Sequence, residues 1–426
     1  MPARFRALLA DTRPLSHPDF RRLWVANIIT VIGGQLTVVA VPAQLYSMTG
    51  SSGWVGLTGI FGLVPLMIFG LWGGALADSL DRRMLLVLSS IGLAVTSGLF
   101  WVQAALGVTN PWVLLCLFAV QQAFFALNQP VRTAIVPRLV PARELAAANS
   151  LNMTVLQVGA VAGPLLGGML IPLTGFPLLY AIDAACLVVA VLMVLRLPAL
   201  PPIGTPARAG LRSVIEGFAY LAKHPVVMMS FAVDIVAMVF GMPRALFPEI
   251  ANMSFGGPTE GGWVFALLFA AIPLGGVLGG IFSGWVSRVT RHGLAVVVAI
   301  VVWGAAITGF GVAVGFAQGR PGVLVVIAVA CLMLGGAADV ASAAFRSTIL
   351  LQAATDDMRG RLQGVFTVVV SGGPRVADLL HGSTAALVGT AVATAGGGVL
   401  VIVGTVLLAL LVPAFVRYRF SPHAAT

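Results

Sequence analysis

Twelve apolar stretches, each about as long as a bilayer-crossing helix, follow one another along this chain with little between them. A hydrocarbon layer about 30 Å thick asks for roughly 20 residues of helix, so this succession restricts the fold to a bundle of membrane-spanning rods. The stretches fall near residues 22–47, 53–77, 84–106, 111–133, 145–171 and 175–197, and then near 225–250, 262–287, 293–316, 321–345, 362–389 and 395–416. Only 9% of the 426 residues are charged, against about 25% in soluble domains. A surface that poor in polar groups needs lipid as its solvent.

The expected fold is an all-α membrane protein with twelve transmembrane helices in two six-helix bundles. The segments are a cytoplasmic tail (1–21), a first bundle (22–197), a Pro-rich cytoplasmic linker (198–223), a second bundle (224–416) and a short cytoplasmic tail (417–426). Sidedness follows from Lys and Arg, which loops retain on the cytoplasmic side. One set of connections, together with both tails, holds 21 of the 24 basic residues, counting Arg82, Arg83, Arg132, Arg138 and Arg346 among them. The alternate connections carry only Arg320, so both termini are expected inside. The net charge of +10 records this asymmetry and is no sign of nucleic-acid binding. The tryptophans, Trp303 included, mostly fall near span ends, as an interfacial belt would.

Other functional classes find no support. Cys116, Cys186 and Cys331 lie inside apolar runs and offer neither a disulfide framework nor a metal-ligand spacing. No phosphate-cradling G-x-x-x-x-G-K-[ST] loop occurs, and no nucleophile set is visible. The chain is therefore expected to be no enzyme and to need neither cofactor nor metal. No cleavable leader is expected in Met1–Arg22, where arginines precede the first apolar run.

Two local matches point to an internal repeat. Gly74-Ala-Leu-Ala-Asp78-Ser-Leu-Asp81-Arg82-Arg83 after the second span is echoed by Gly280-Ile-Phe-Ser-Gly284-Trp-Val-Ser-Arg288 after the eighth. Arg132-Thr-Ala-Ile, closing the fourth span, is echoed by Arg346-Ser-Thr-Ile closing the tenth. Both offsets are close to half the chain, as duplicated bundles require.

In the fifth span Gly159, Gly163 and Gly167 recur every fourth residue with Pro164 and Gly168 beside them. Such a stripe lets a neighbouring helix approach closely, while Pro164 removes an N–H and bends the rod. The stripe serves either as a seal that breaks and re-forms or as static packing. After the second span, Asp78 can accept backbone N–H groups at a helix start, and Arg82 and Arg83 can bridge to the other bundle or to anionic lipid. That group is either a conformational latch or a simple stop for the second helix.

With these motifs the chain resembles the major facilitator superfamily over nearly its whole length. Gly74, Asp78, Arg82 and Arg83 are similar to the family's G-x-x-x-D-R-x-G-R-R loop, with Ser79 in place of a basic residue and Asp81 in place of Gly. Gly159, Gly163, Pro164, Gly167 and Gly168 match every fixed position of the G-x-x-x-G-P-x-x-G-G pattern of proton-exchanging exporters. The segments Arg244-Ala-Leu-Phe-Pro248, Ala271-Ile-Pro-Leu-Gly-Gly276 and Arg359-Gly360-Arg361 resemble the enterobactin (siderophore) exporter branch, close to drug:proton antiporters. The resemblance implies a secondary active exporter in a bacterial plasma (inner) membrane, working by alternating access with proton antiport. Its partners would be a small molecule, protons and membrane lipid, with no nucleic acid, and it would act as a monomer. A catecholate-like siderophore is the first-guess substrate. Efflux of amphipathic drugs is the alternative, and a non-transporting sensor or scaffold a third reading.

Ionisable groups within the hydrocarbon cost about 2.5–3.5 kcal/mol each on insertion scales, so each is a functional candidate. Asp183 and Asp234 stand near mid-membrane in the sixth and seventh spans, and Asp339 lies in the tenth. Arg375 and Asp378, three residues apart in the eleventh span, can pair directly, with His381 a further step round the helix. One reading makes at least one of Asp183, Asp234, Asp339 and Asp378 a proton carrier, with Arg375 competing for the site or binding an anionic substrate. The other makes Arg375 and Asp378 a structural ion pair. The first span offers only Asn27 and Gln35 as strongly polar groups, where many drug exporters of this type carry an acid. Arg244 is expected about 20 residues into the seventh helix, near the outer surface, where it serves either as a snorkelling anchor or as a ligand.

Overall fold

The computed structural model describes residues 11–201, 219–221, 223–353 and 356–419. Among these residues the regular structure is helix alone, with no strand. The long helices are α1 (Pro18–Thr49), α3 (Thr58–Ser79), α4 (Arg82–Ala105), α5 (Pro111–Leu139), α6 (Leu145–Leu195), α7 (Pro225–Gly241), α8 (Trp263–Ile281), α9 (His292–Gly315), α10 (Val323–Ala353), α11 (Asp356–Val388) and α12 (Thr390–Leu411). A single turn, α2 (Ser52–Gly56), precedes α3.

Ten helical segments among the described residues are long and apolar enough to cross a membrane. One of them contains two rods: α6 is broken at Gly175, whose φ of 71° and ψ of 167° leave the helical region. A side chain is strained at such a φ, which is why glycine stands at this join. The two arms of α6 are thus separate rods, and the 33-residue α11 is a further long helix outside these ten.

Helix starts are set by short polar side chains. Ser51 accepts the Gly53 amide at 3.2 Å ahead of α2, Asp81 accepts those of Arg83 and Met84 ahead of α4, and Asn110 accepts that of Trp112 ahead of α5. Each satisfies a donor that a helix N-terminus leaves unbonded.

Contacts group the chain into two units, one comprising Met1–Val41 and Val64–Ala209, the other Pro42–Leu63 and Gly210–Thr426. In the first unit α4 packs on α5 and on α6. An apolar cluster in it gathers Phe20, Leu23, Leu86, Val131, Ile135 and Val194 at the end where Asp81 and Arg82 stitch α4 to the chain leaving α6. In the second unit α9 is central, packed on α10 and α12, with α8 on α10 and α11 on α7 and α2. Phe247 is edge-on to both Phe269 and Phe310, with centroids 5.1 and 5.9 Å away.

Two expectations are corrected here. Trp303 is no interfacial residue: it is fully buried in mid-α9, in space left free by Gly241 of α7 and Gly335 of α10. Arg244 does not lie inside a helix, because α7 ends at Gly241 and Arg244 opens a 3-10 turn, Arg244–Leu246. Pro243, directly before Arg244, has no N–H to continue the ladder.

Candidate functional site

Four groups of buried charge among the described residues lie on the long helices, two in each unit. In the first unit Asp183, on the second arm of α6, is 2% exposed. Its Oδ2 accepts the Ser97 hydroxyl of α4 at 2.6 Å, while Oδ1 has no hydrogen-bond partner. A Cβ on Gly33 of α1 would coincide with that same oxygen. Asp183 therefore sits where two helices touch, held by one hydroxyl.

The second group surrounds Arg132 of α5, also buried. Its guanidinium donates to Asn128 Oδ1 at 3.2 Å, to the Leu23 carbonyl at 3.2 Å and to Thr30 Oγ1 at 3.3 Å. Asn128 in turn donates to Ser89 and Ser90 of α4. The cation is solvated by neutral dipoles, which makes a buried charge tolerable.

In the second unit Arg346 of α10 forms an ion pair with Asp234 of α7. Its other terminal nitrogen stands 3.8 Å from Asp339, and its Nε donates to Ser342 at 3.1 Å. Two carboxyl groups thus share one guanidinium. Asp234 is sealed, while Asp339 keeps 28% of its side-chain surface. Counting Arg132 and Arg346 as loop cations was mistaken: both lie within helices and are buried. The seven-residue spacing from Asp339 to Arg346, two turns along one face, is the signal that marks this cluster in the sequence.

The fourth group lies on α11. The Asp378 carboxyl accepts the Ala245 amide and lies within reach of the charges of Arg244 and Arg375. Arg375 turns its guanidinium to Gly62 of α3, where a Cβ would stand 2.8 Å from Nη1. His381 donates Nε2–H to the Phe240 carbonyl at 3.1 Å. Nearby, Glu249 accepts both the amide and the hydroxyl of Ser52. Asp378 is thus part of a wider set than the Arg375 pair expected from helical spacing.

The glycine motif faces α1. A Cβ at Gly159 would lie 2.5 Å from Val31 Cγ1, one at Gly163 would overlap Gln35 Cβ, and one at Gly167 would meet Leu36 Cδ2 at 3.3 Å. Pro164 and Gly168 are buried alongside.

Of the loop motif, Gly74 and Asp78 fall on α3 where side chains lie outside the described ones, as does Arg359-Gly360-Arg361 on α11. Arg82 donates to the Ala134 carbonyl at 3.1 Å and Arg83 to that of Leu195 at 2.6 Å, both within the first unit. Asp81, noted above only as a departure from the family pattern, caps α4 and also accepts the Leu200 amide at 3.0 Å. Among the described residues no group of His, Cys, Asp and Glu is placed to hold a metal.

Long apolar helices carrying a few enclosed charges define a multi-pass membrane protein. Residues 10–421 match the family of transmembrane secretion effectors. The chain belongs to that family, within the major facilitator transporters, and is not an enzyme. It is 31% identical over 420 residues to the enterobactin exporter EntS of Shigella boydii serotype 18 (strain CDC 3083-94 / BS512), covering 96% of each chain. The same identity and coverage relate it to enterobactin exporter EntS of Escherichia coli O157:H7 (strain EC4115 / EHEC). In fold it is similar to a bacterial homolog of the human lysosomal transporter Spinster, in an inward-facing and unoccupied conformation (TM-score 0.72, 16% identity, 97% of this chain and 100% of that one). It is likewise similar to the nucleoside transporter NupG (TM-score 0.72, 15% identity, 94% and 99%).

Proposed function

We propose that the protein exports a siderophore-like, catecholate-bearing molecule across a bacterial plasma membrane by alternating access, in exchange for protons. The reading rests on the 31% identity with enterobactin exporters across 96% of both chains. The glycine motif Gly159, Gly163, Pro164, Gly167 and Gly168 is of the kind that resemblance associates with export. Proton exchange is supported by the carboxyl groups of Asp183, Asp234, Asp339 and Asp378, which a passive scaffold would gain nothing by keeping in hydrocarbon. Arg375 supplies a cation suited to an anionic cargo. Two six-helix bundles (22–197 and 224–416), both termini and the 198–223 linker in the cytoplasm, and action as a monomer in contact with lipid complete the proposal. The loop residues Gly74, Asp78, Arg82 and Arg83 would steady one of the alternating states.

Purified protein in vesicles, given an imposed proton gradient, tests the reading. Accumulation of an iron-free catecholate siderophore with counter-movement of protons is the expected result. Preference for an amphipathic cationic dye would make the protein a drug exporter instead. No movement of either would leave the scaffold reading.

A further inference from the structure

The segment of α1 from Val31 to Val39 is held by both arms of α6. The first arm meets it through the glycine stripe, with Val31 on Gly159, Gln35 on Gly163, and Leu36 and Val39 on Gly167. The second arm meets it through Asp183, whose Oδ1 presses on Gly33. Thus the exporter motif and a buried acid act on the same two turns of one helix.

The solvation of that acid is lopsided. Oδ2 has the Ser97 hydroxyl; Oδ1 has no donor and is shut off from the surface. An ionised carboxylate in hydrocarbon needs several donors to offset its lost hydration, whereas a neutral carboxyl group is content with one. The facing groups supply no counter-charge: α1 offers Gly33 and α4 offers Ser97, while Arg132 reaches α1 at Thr30, one turn earlier. On its own helix Tyr180 and Cys186 are within electrostatic reach. The cations of α4, Arg82 and Arg83, lie about 22 Å along the helix from Ser97, at 1.5 Å per residue.

Resting on the antiport reading, we infer that Asp183 binds the exchanged proton and that its charge state decides whether α1 stays clasped by α6. With the proton in place, Oδ1 can lie against the bare backbone of Gly33. When the proton leaves to water, the carboxylate requires donors that only water can bring, and α1 must lift from Gly33 to admit them. Because the same two turns also cover the glycine stripe, lifting loosens Val31, Gln35 and Val39 from the first arm. Gly33 is the place where one helix reads the proton on another.

Asp183→Asn, which mimics the neutral acid, is the central test, measured in proteoliposomes with an iron-free catecholate siderophore. Substrate exchange in the absence of a gradient should persist, while accumulation driven by a proton gradient should fall at least tenfold. Ser97→Ala, which leaves the acid in place, should move the pH at which gradient-driven transport is half-maximal. An independent readout uses Gly34→Cys, a position where a Cβ meets only Phe125 at 3.5 Å, with Cys116, Cys186 and Cys331 replaced by alanine. Labelling by a water-soluble maleimide, taken relative to an exposed reference cysteine in the Gln318–Gly322 turn so that the thiolate's own pH dependence cancels, should rise several-fold with pH, and this relative rise should vanish once Asp183→Asn is added. Gradient-driven transport by Asp183→Asn at the rate of the unsubstituted protein would overturn the assignment and leave antiport standing on another acid. Labelling that still rises with pH relative to the reference cysteine in that variant would also overturn it. Absence of gradient-driven transport in the unsubstituted protein would remove the antiport reading and the assignment together.

Discussion

Arg346 of α10 is ion-paired with Asp234 of α7, and both side chains are almost wholly withdrawn from the surface. The pair ties two helices of the second unit together at a depth where neither charge finds water. Removing one partner leaves the other stranded, which typically costs about 3–5 kcal/mol, whereas removing both costs far less. Arg346→Leu should therefore depress the thermal unfolding midpoint in detergent strongly, and Asp234→Asn with Arg346→Gln should recover most of the loss. Equal losses in the single and double variants would mean that the pair does not hold the unit.

The glycine stripe allows a graded test. Alanine at Gly159 or Gly163 would drive a methyl group into Val31 or Gln35, an overpacking that costs about 1–3 kcal/mol. Alanine at Gly98 of α4, where nothing lies within 4 Å, should change nothing. Both thermal midpoint and export rate should separate the first two variants from the third.

Asp81 makes three hydrogen bonds at the start of α4. Asp81→Ala should cost about 1–2 kcal/mol as a lost cap. Asp81→Asn, which keeps the oxygen that caps α4 but turns its NH2 to the Leu200 N–H, should lose that third bond alone, about 1 kcal/mol. Thermal unfolding of the two variants side by side decides it.

A second close approach joins α2 to α11. A Cβ on Gly56 would stand 2.8 Å from the Asp378 carbonyl and 3.0 Å from Gly382 Cα, while one on Gly53 would find Ser51 Oγ at 3.3 Å and nothing else nearer than 3.9 Å. Gly56→Ala should destabilise the second unit by about 1–3 kcal/mol because backbone cannot swing aside. Gly53→Ala should be tolerated. Hydrogen exchange over residues 375–386 should rise in the first variant alone.

Most helix positions were legible because a membrane span announces itself by length and apolarity, and Gly175 falls where the sixth stretch was expected to start. The charged clusters were legible only in part. Asp234 and Asp339 stand out as acids in hydrocarbon, yet Arg346 reads as a loop cation because basic residues near span ends normally are. Its pairing with Asp234 spans more than a hundred residues, and no local spacing reveals it. Ser97 is likewise silent: a single hydroxyl in an apolar helix is unremarkable until Asp183 is seen beside it. Trp303 misled because tryptophan favours interfaces in general, whereas here the missing side chains of Gly241 and Gly335 make a slot for its ring. Asp81 looked like a flaw in a loop pattern, but a carboxylate at that site caps α4 and fastens Leu200.

The join at Gly175 has a practical corollary. The two crossings of α6 meet there without a connecting loop, so an inserted epitope tag would have to unwind helix on one side or the other. Sidedness mapping should use the Gly107–Asn110 and Gln318–Gly322 turns instead, where the chain is already non-helical and an added peptide need not disturb a rod.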